Sequence, residues 1–400
     1  MIKNRVALII GLGLIAIIIA AIFTLRPDSP DHLQQSSQPE VVTFTVLSTP
    51  TLGPTQGASK PPHLNHGIQV DPHGGTQANI EHIKTLGLKW VELQLPWKEI
   101  ESEQGMYDWR FWDKIIEAYA DNNINLMLSI AKAPDWARPV DDDKSVEGLP
   151  ANPASYAGFV TKVAGRYPDQ VQAIEIWHWQ NLWSEIGGRG RMDAARYVQL
   201  LQQAYQAIKA TNQDLVVVSG AMTPAGNVGD LATDDIDFLN QMYDHGLKGY
   251  FDALGANPSG YNCPALADWR TVTAAEAEAD PSHGTFRNRH HSWCFLGTMT
   301  AYREVMLANS DGDKPIWVIN FGWAVSDHFE PGHEFVRDNR PEEQARWIVE
   351  AYQWADRQAW VGPMFLSNLD YGITSPDSWL APFGIIGQPA YEALTRLNVD

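Results

Sequence analysis

Residues 173–185 read A-I-E-I-W-H-W-Q-N-L-W-S-E, an apolar segment that runs directly into clustered aromatic and amide residues. Residues 171–177 are mostly apolar and include β-branched side chains, which is typical of a buried strand. Trp177, Trp179 and Trp183 crowd the end of that segment. A strand that ends in tryptophans and amides, rather than in a simple turn, usually opens onto a site. The stretch therefore predicts a buried strand with a site at its carboxyl end.

Strand-like runs alternate with helical patterns eight times along the chain. The predicted strands cover residues 66–71, 88–95, 124–131, 171–177, 214–219, 250–256, 314–320 and 361–368. The predicted helices cover residues 76–86, 109–121, 153–166, 193–210, 234–245, 294–308, 341–358 and 389–397. Such alternation predicts a parallel sheet, and eight units predict a single-domain (β/α)₈ barrel of the α/β class. Sites in this fold lie at the carboxyl ends of the strands.

Two motifs carry a resemblance to a known family. Residues 177–181 read W-H-W-Q-N, and residues 314–323 read K-P-I-W-V-I-N-F-G-W. They resemble the W-N-E-P-N or W-N-E-Q-N motif of strand four and the K-P-(I/V)-W-V-T-E-F-G-W motif of strand seven in clan A retaining glycoside hydrolases. The resemblance spans residues 64–396 and implies a general acid/base after strand four and a nucleophile after strand seven. Here Trp179 stands at the acid/base position, His178 precedes it, and Asn320 stands at the nucleophile position.

Other departures fall in the same predicted pocket. The family often has H-P-Y-G after strand six and a tryptophan at the end of strand eight, where this chain has N-P-S-G from Asn257 and Ser367 followed by Asn368. A retaining glycosidase needs two carboxylates about 5–5.5 Å apart, and an amide is a poor nucleophile. General acid–base catalysis alone contributes about 10²–10⁴ in rate. The sequence therefore predicts a pseudoglycosidase with no catalytic residue at the family positions, which binds an oligo- or polysaccharide.

Two alternatives stay open. The protein is an active O-glycosyl hydrolase if other carboxylates take over, and Glu185 and Asp370 lie on loops near the strand ends. It is an interaction scaffold of the cell envelope if Trp179 fills the barrel mouth and leaves no ligand cleft. Glu175 is in phase with Trp177 on the strand, and we interpret it as a buried, paired carboxylate rather than as a catalytic acid.

Residues that follow the predicted strands make up the candidate ligand site. Sugar rings present apolar C–H faces that stack on aromatic side chains, and amides bind sugar hydroxyls. The candidate substrate-binding residues are Trp97, Trp136, Trp177, His178, Trp179, Gln180, Asn181, Asn257, Asn320, Trp323, Asn368 and Trp379. The alternative is that several of the tryptophans simply pack the loops together.

Charge and cysteine content limit the partners. The formal net charge of −19 argues against nucleic acid and anionic lipid surfaces, which bind basic patches. No metal or cofactor motif is present. His283, His290 and His291 are interpreted as solvated loop residues because no carboxylate accompanies them at a fixed spacing, with a metal site in that loop as the alternative. The only two cysteines, Cys263 and Cys294, flank one loop and predict a disulfide in an oxidising compartment, with buried free thiols as the alternative.

The N-terminal part differs in composition from the rest. Residues 6–25 contain no charge and follow Lys3 and Arg5, which predicts a transmembrane anchor in residues 1–26. Residues 27–63 are rich in Pro, Ser, Thr and Gln and predict a disordered linker. Residues 64–400 then form the barrel, held outside the cytoplasm at the cell surface or in the periplasm. A cleaved signal peptide and a secreted protein are the alternative.

Overall fold

The computed structural model describes residues 65–270, 290–329 and 333–397. Within these residues, eight parallel strands form one sheet in the order β5-β4-β3-β2-β1-β8-β7-β6. The strands are β1 Gly67–Gln69, β2 Trp90–Pro96, β3 Asn125–Ala131, β4 Ala173–Ile176, β5 Val216–Ser219, β6 Leu254–Ala256, β7 Ile316–Phe321 and β8 Val361–Leu366. The order is that of a (β/α)₈ barrel, as predicted.

One long helix follows each strand. These helices are α1 Thr76–Leu86, α2 Arg110–Asp121, α3 Pro153–Arg166, α4 Ala194–Thr211, α5 Asp235–Asp244, α6 Phe295–Ala308, α7 Pro341–Ala355 and α8 Pro389–Leu397. Side chains cap three of them at the amino end: Asn152, Asp193 and Asp234 accept hydrogen bonds from backbone N–H groups of the first turn of α3, α4 and α5. Such caps satisfy donors that have no partner inside the helix.

The barrel is nearly closed. β5 and β6 end the strand order, and they meet through a single parallel bridge between Val218 and Ala253, with Ser219 N–H donating to Ala253 O at 3.0 Å. The other neighbouring strands pair as ladders, for example Trp90 to Pro96 of β2 with Asn125 to Ala131 of β3. The weakest junction therefore lies opposite β1.

Alternate strand residues face two different cores. Val91 and Leu93 of β2 pack in the layer between the strands and the helices, together with Ile80 and Trp112. Trp90 belongs instead to a cluster made of strand residues and their immediate extensions, which fills the barrel interior. Because the side-chain period of a strand is two, Glu92 and Glu175 share the interior face with Trp90 and Ala173. Two carboxyl groups are thus enclosed in the barrel.

The predicted disulfide is confirmed. Cys263 and Cys294 are joined with a Cα–Cα distance of 5.3 Å, which ties the segment after β6 to the start of α6. No helix within the described ranges is both long and apolar enough to cross a bilayer. The predicted anchor, the predicted linker and His283 lie outside those ranges.

Candidate functional site

The turn after β4 places the first site residues. Trp177 and Trp179 both adopt left-handed backbone angles, with φ of 67° and 53°, which is uncommon for side chains larger than glycine. Strand β4 therefore ends one residue before the predicted boundary. The Trp177 ring packs outward in the core between strands and helices, where its indole N–H donates to Glu185 O at 3.1 Å. His178 turns inward and Trp179 comes to the barrel mouth.

A chain of polar contacts links β4, β7 and β8 across the mouth. The Ser367 hydroxyl donates to Asn320 Oδ1 at 2.6 Å, and Asn320 Nδ2 lies 3.4 Å from His178 Nε2. His178 Nδ1 lies 3.0 Å from Glu175 Oε1, which also accepts from Ala221 N at 2.8 Å. One assignment satisfies every contact: His178 carries its proton on Nδ1 and accepts on Nε2. We call these four residues the mouth network.

The mouth cavity lies above this network, at the carboxyl ends of the strands, with about 50 Å³ of free volume. Aromatic rings and amides dominate its wall. It is lined by Gln69, Gln94, Trp179, Thr223, Pro224, Asn257, Ser259, Tyr261, Asn320, Phe321, Gly322, Phe335, Ser367, Trp379, Leu380 and Phe383. No carboxylate from the described part of the chain is among these residues.

A second cavity, the side cavity, lies beside the first and has about 60 Å³ of free volume. It is lined by Gln94, Leu95, Pro96, Ser129, Ala131, Lys132, His178, Trp179, Glu185, Trp379 and Leu380. The two tryptophans are shared by both cavities, and their ring centroids are 5.9 Å apart. Trp379 also stacks on His333 at 5.4 Å. The paired rings therefore separate two small spaces, each far below the roughly 300–1,000 Å³ of a typical ligand pocket.

Four residues of the mouth cavity carry buried polar atoms with no hydrogen-bond partner among the described residues. These atoms are both side-chain polar atoms of Gln69, the Thr223 hydroxyl, Asn257 Oδ1 and Trp379 Nε1. Asn257 Nδ2, by contrast, donates to Met222 O at 3.1 Å. Unpaired buried polar atoms are costly, so this wall is suited to water or to the hydroxyl groups of a ligand.

Glu185 and Asp370, the two carboxylates that could replace the catalytic acids of the family, do not line the same cavity. Glu185 lines the side cavity, and burial raises its pKa to about 8, with the charge of Glu147 adding to the rise. Asp370 lines neither cavity and instead accepts from Asp71 N at 3.0 Å and Asn79 Nδ2 at 2.7 Å. Burial also raises the pKa of Asp370. Asp370 thus holds the β1–α1 connection in place.

The predicted ligand residues divide into two groups. His178, Trp179, Asn257, Asn320 and Trp379 line one or both cavities. The structure does not bring the following residues to either cavity: Trp97, Trp136, Trp177, Gln180, Asn181, Trp323 and Asn368. Most of them donate to backbone carbonyl groups, whereas Trp97 donates to the Glu101 carboxylate at 2.7 Å.

Hydrogen bonds to backbone carbonyl groups show why several of those residues face away from the barrel mouth. The Trp323 ring is fully buried and donates to Cys263 O at 2.7 Å, and Trp136 donates to Glu101 O at 3.0 Å. Asn181 bridges Thr223 O and Thr233 O, and Asn368 donates to Leu380 O. Large loops have many backbone groups to satisfy, and amides and indoles do so.

Sequence reasoning missed several lining residues. Gln69 and Gln94 come from β1 and β2, and Gln94 is in phase with Glu92, so strand alternation was the available signal. Tyr261, Phe335 and Phe383 come from long loops, and no periodic pattern marks them.

The interpretation of His290 and His291 as solvated residues is wrong. His290 Nε2 lies 2.7 Å from Asp234 Oδ2, and His291 Nε2 lies 2.7 Å from Asp235 Oδ1. The carboxylates are 56 residues away in sequence, so no local spacing could show the pairing.

Comparisons with known proteins agree with this fold. A family model described as Beta-galactosidase matches residues 71–140. A family 39 glycoside hydrolase from Bacteroides cellulosilyticus is 17% identical over 84% of this chain and 63% of that chain, with a TM-score of 0.61. A monomeric beta-xylosidase from Caulobacter crescentus is 17% identical over 84% and 68%, with a TM-score of 0.57. An endoglucanase from Thermotoga maritima is 12% identical over 84% and 97%, with a TM-score of 0.52.

No curated protein matches the sequence. The chain spans less than two thirds of the first structure, and identities this low show the fold alone. The chain has a barrel fold like that of clan A glycoside hydrolases.

Proposed function

We propose that the protein is a non-hydrolytic carbohydrate-binding barrel of glycoside-hydrolase type, and that its ligand contacts the mouth cavity. One observation carries the proposal: the cavity at the carboxyl ends of the strands is lined by aromatic rings, amides and hydroxyls without a carboxylate among the described residues. Aromatic rings stack on sugar C–H faces, and the unpaired atoms of Gln69, Thr223 and Asn257 suit sugar hydroxyls.

The absence of hydrolysis follows from the two motif positions. The indole N–H of Trp179 is too weak an acid to protonate a glycosidic oxygen. Asn320 is already engaged as an acceptor by Ser367 and points its amide nitrogen toward His178. Of the two alternative carboxylates, only Glu185 faces a cavity. A retaining mechanism requires a pair.

A sugar needs more room than the mouth cavity offers. Trp179 and Trp379 are half-buried, and each ring separates the same two cavities. Binding therefore requires one of these rings to rotate, which joins the mouth cavity to the side cavity. The ring then stacks on the sugar instead of on its neighbour.

A glycan-binding screen on the full-length chain tests the proposal. We expect an oligosaccharide to bind and to lose about tenfold or more in affinity in Trp379→Ala, since hot-spot aromatic side chains contribute at least about 2 kcal/mol. Trp360→Ala is the matched control, because Trp360 is a half-buried tryptophan at the amino end of β8. No binding by any glycan, or equal binding by both variants, contradicts the proposal.

An aryl-glycoside panel tests hydrolysis separately. We expect no turnover by the wild-type chain. Turnover that disappears in Glu185→Gln instead supports the active hydrolase.

The second candidate function is an interaction scaffold. The observation that favours it is the small free volume of the two cavities, about 50 and 60 Å³, which leaves room for a few water molecules. This alternative predicts that the wild-type protein binds no glycan. It also predicts that Trp179→Ala, which enlarges the cavity, binds none.

We also propose that residues 6–25 anchor the barrel outside the cytoplasm. The support is the uncharged 20-residue segment after two basic residues, together with the disulfide, which is typical of an oxidising compartment. Protease added to intact cells should digest a barrel at the cell surface, and protease added to spheroplasts should digest a periplasmic one. Digestion only after the cytoplasmic membrane is lysed contradicts this placement.

A further inference from the structure

A second group of functional side chains lies away from the barrel mouth. Asp234, His290 and His291 each offer one ligand atom, and these atoms all lie within 4.8 Å of one another. They line an open cavity of about 310 Å³ between the first turns of α5 and α6. This cavity shares no lining residue with the mouth cavity or the side cavity.

Asp234 presents one oxygen to the cluster. As the capping residue of α5, it uses Oδ1 to accept from Ile236 N at 2.9 Å and from Asp237 N at 3.0 Å. Its Oδ2 faces His290 Nε2 at 2.7 Å. The two backbone hydrogen bonds fix the orientation of the Asp234 carboxylate. Its Oδ2 takes no part in the helix cap and is available as a metal ligand.

His291 is oriented by a buried carboxylate. Its Nε2 lies 2.7 Å from Oδ1 of Asp235, which is fully buried, and the Tyr302 hydroxyl donates to the other oxygen at 3.0 Å. A carboxylate that holds the N–H of one ring nitrogen leaves the lone pair of the other nitrogen for a metal ion. In His291 that nitrogen is Nδ1.

The His290 side chain and the backbone around it are held as well. Its Nδ1 lies 2.6 Å from Ser292 Oγ, which leaves Nε2 to face Asp234. The two histidine rings lie 4.1 Å apart. The disulfide at Cys294 fixes the same short segment to the rest of the barrel. The ligand set is therefore positioned before any ion binds.

We propose that Asp234, His290 and His291 bind one divalent transition-metal ion of the zinc type. Two imidazole nitrogens and a carboxylate oxygen are common zinc ligands, and a site with three protein ligands leaves one position for water. Ligand atoms about 2.1 Å from one ion are separated by about 3–4 Å, so small side-chain rotations close the site from its 4.8 Å spread. The remaining position faces the open cavity.

A metal ion at this site explains why Asp234, His290 and His291 lie together, since the barrel fold itself does not require that arrangement. It joins the amino end of α5 to the segment before α6, in addition to the disulfide. It acts independently of glycan binding at the mouth, so neither proposal depends on the other.

Zinc itself is the probe. The full-length chain is stripped with a chelator, loaded with zinc, dialysed against zinc-free buffer and analysed for metal content. We expect one zinc ion per chain and a higher melting temperature than that of the stripped chain. Asp234→Asn keeps the helix cap but loses the charged ligand, and we expect it to retain no zinc. Tyr302→Phe acts only through Asp235, and we expect roughly a tenfold loss of affinity.

His245→Ala is the matched control, since it removes an exposed histidine at the other end of α5. We expect it to retain zinc like the wild-type chain. A wild-type chain that returns from dialysis without zinc overturns the proposal. A folded Asp234→Asn or His290→Ala variant that retains as much zinc as the wild type also overturns it, because the ion then binds elsewhere.

Discussion

Glu175 on β4 and Glu92 on β2 are two fully buried carboxyl groups inside one barrel, and their surroundings are opposite. Glu175 faces His178 Nδ1 at 3.0 Å and Ala221 N at 2.8 Å. Neither oxygen of Glu92 makes a hydrogen bond of good geometry among the described residues, and the nearby polar groups of Ser129 and Gln69 lower its pKa by less than burial raises it. The glutamate of β4 therefore positions His178, whereas the glutamate of β2 lowers the stability of the fold.

The difference comes from the strand ends rather than from the strands. The left-handed turn at Trp177 and Trp179 sends His178 back over Glu175, whereas β2 continues without a break past Glu92. Burial raises the pKa of Glu92 to about 7, and the negative charge of Glu175 adds to the rise. A buried carboxyl without donors becomes neutral rather than remaining charged.

The largest expected effect on stability distinguishes Glu175 from Glu92 when each is replaced by methionine. Glu175→Met leaves the N–H groups of His178 and Ala221 without acceptors, and we expect it to lower the free energy of unfolding by about 3–5 kcal/mol. Glu92→Met removes only the weak polar contacts with Ser129 and Gln69, and we expect a neutral or stabilising change at pH 8. Urea denaturation at pH 8 measures both. Equal losses in the two variants would remove the distinction.

The pH dependence of stability sharpens the comparison. Because the pKa of Glu92 rises from 4.5 to about 7 on folding, the folded state binds more protons than the unfolded state between these values. The contribution of Glu92 to the free energy of unfolding is fully present below pH 4.5 and is lost as the pH rises through 7. A rise of this size corresponds to roughly 3 kcal/mol. We expect Glu92→Gln to flatten the fall in unfolding free energy between pH 5 and pH 8.

Glu185 provides the control for this measurement. Its pKa is raised to about 8, also by burial, so it contributes a fall in the same direction that extends to higher pH. Glu185→Gln should flatten the upper part of the profile and leave the lower part sloped. A Glu92→Gln profile that matches the wild type would show that Glu92 stays ionised in the fold.

The smallest expected effect lies in the mouth network. Ser367→Ala removes the hydroxyl that donates to Asn320 Oδ1, and we expect a loss of about 1 kcal/mol in unfolding free energy. Ser102→Ala, at an exposed position, should change it by less than about 0.5 kcal/mol. Thermal unfolding of the two variants side by side measures the difference. No difference between them would mean that water replaces the lost hydroxyl.

Much of the fold could be predicted from the sequence because strand and helix periodicity is local. The predicted helix 76–86 is α1, and the predicted helix 153–166 is α3, with proline at its first position. The predicted strand 171–177 extends two residues too far at its amino end and one too far at its carboxyl end, where no local signal marks the left-handed angle of Trp177. Glu175 was interpreted as buried and paired, and the structure gives it His178 as a partner.

Motif matching predicted part of the candidate site and misplaced other residues of the same motifs, such as Trp177 and Gln180. Trp179 and Asn320 were placed by matching two motifs, and both line the mouth cavity. Trp97 follows a strand and Trp323 ends the strand-seven motif, which predicts both as ligand residues, yet both rings are fully buried. Whether a residue after a strand faces the mouth or the loop core depends on backbone turns and on which carbonyl groups need donors. Contacts such as His291 to Asp235, 56 residues apart, are set by the fold as a whole.

The bond between Cys263 and Cys294 determines how the chain responds to a protease. Arg270, Arg287 and Arg289 lie between the two cysteines in sequence. Trypsin cleavage after any of them leaves both fragments covalently joined, so the nicked molecule migrates as one species until a thiol reductant is added. After a single cut and before reduction it is heavier than the intact chain by one water molecule, whereas two cuts also release the cysteine-free peptide between them. A gel run without reductant would therefore conceal the cleavage.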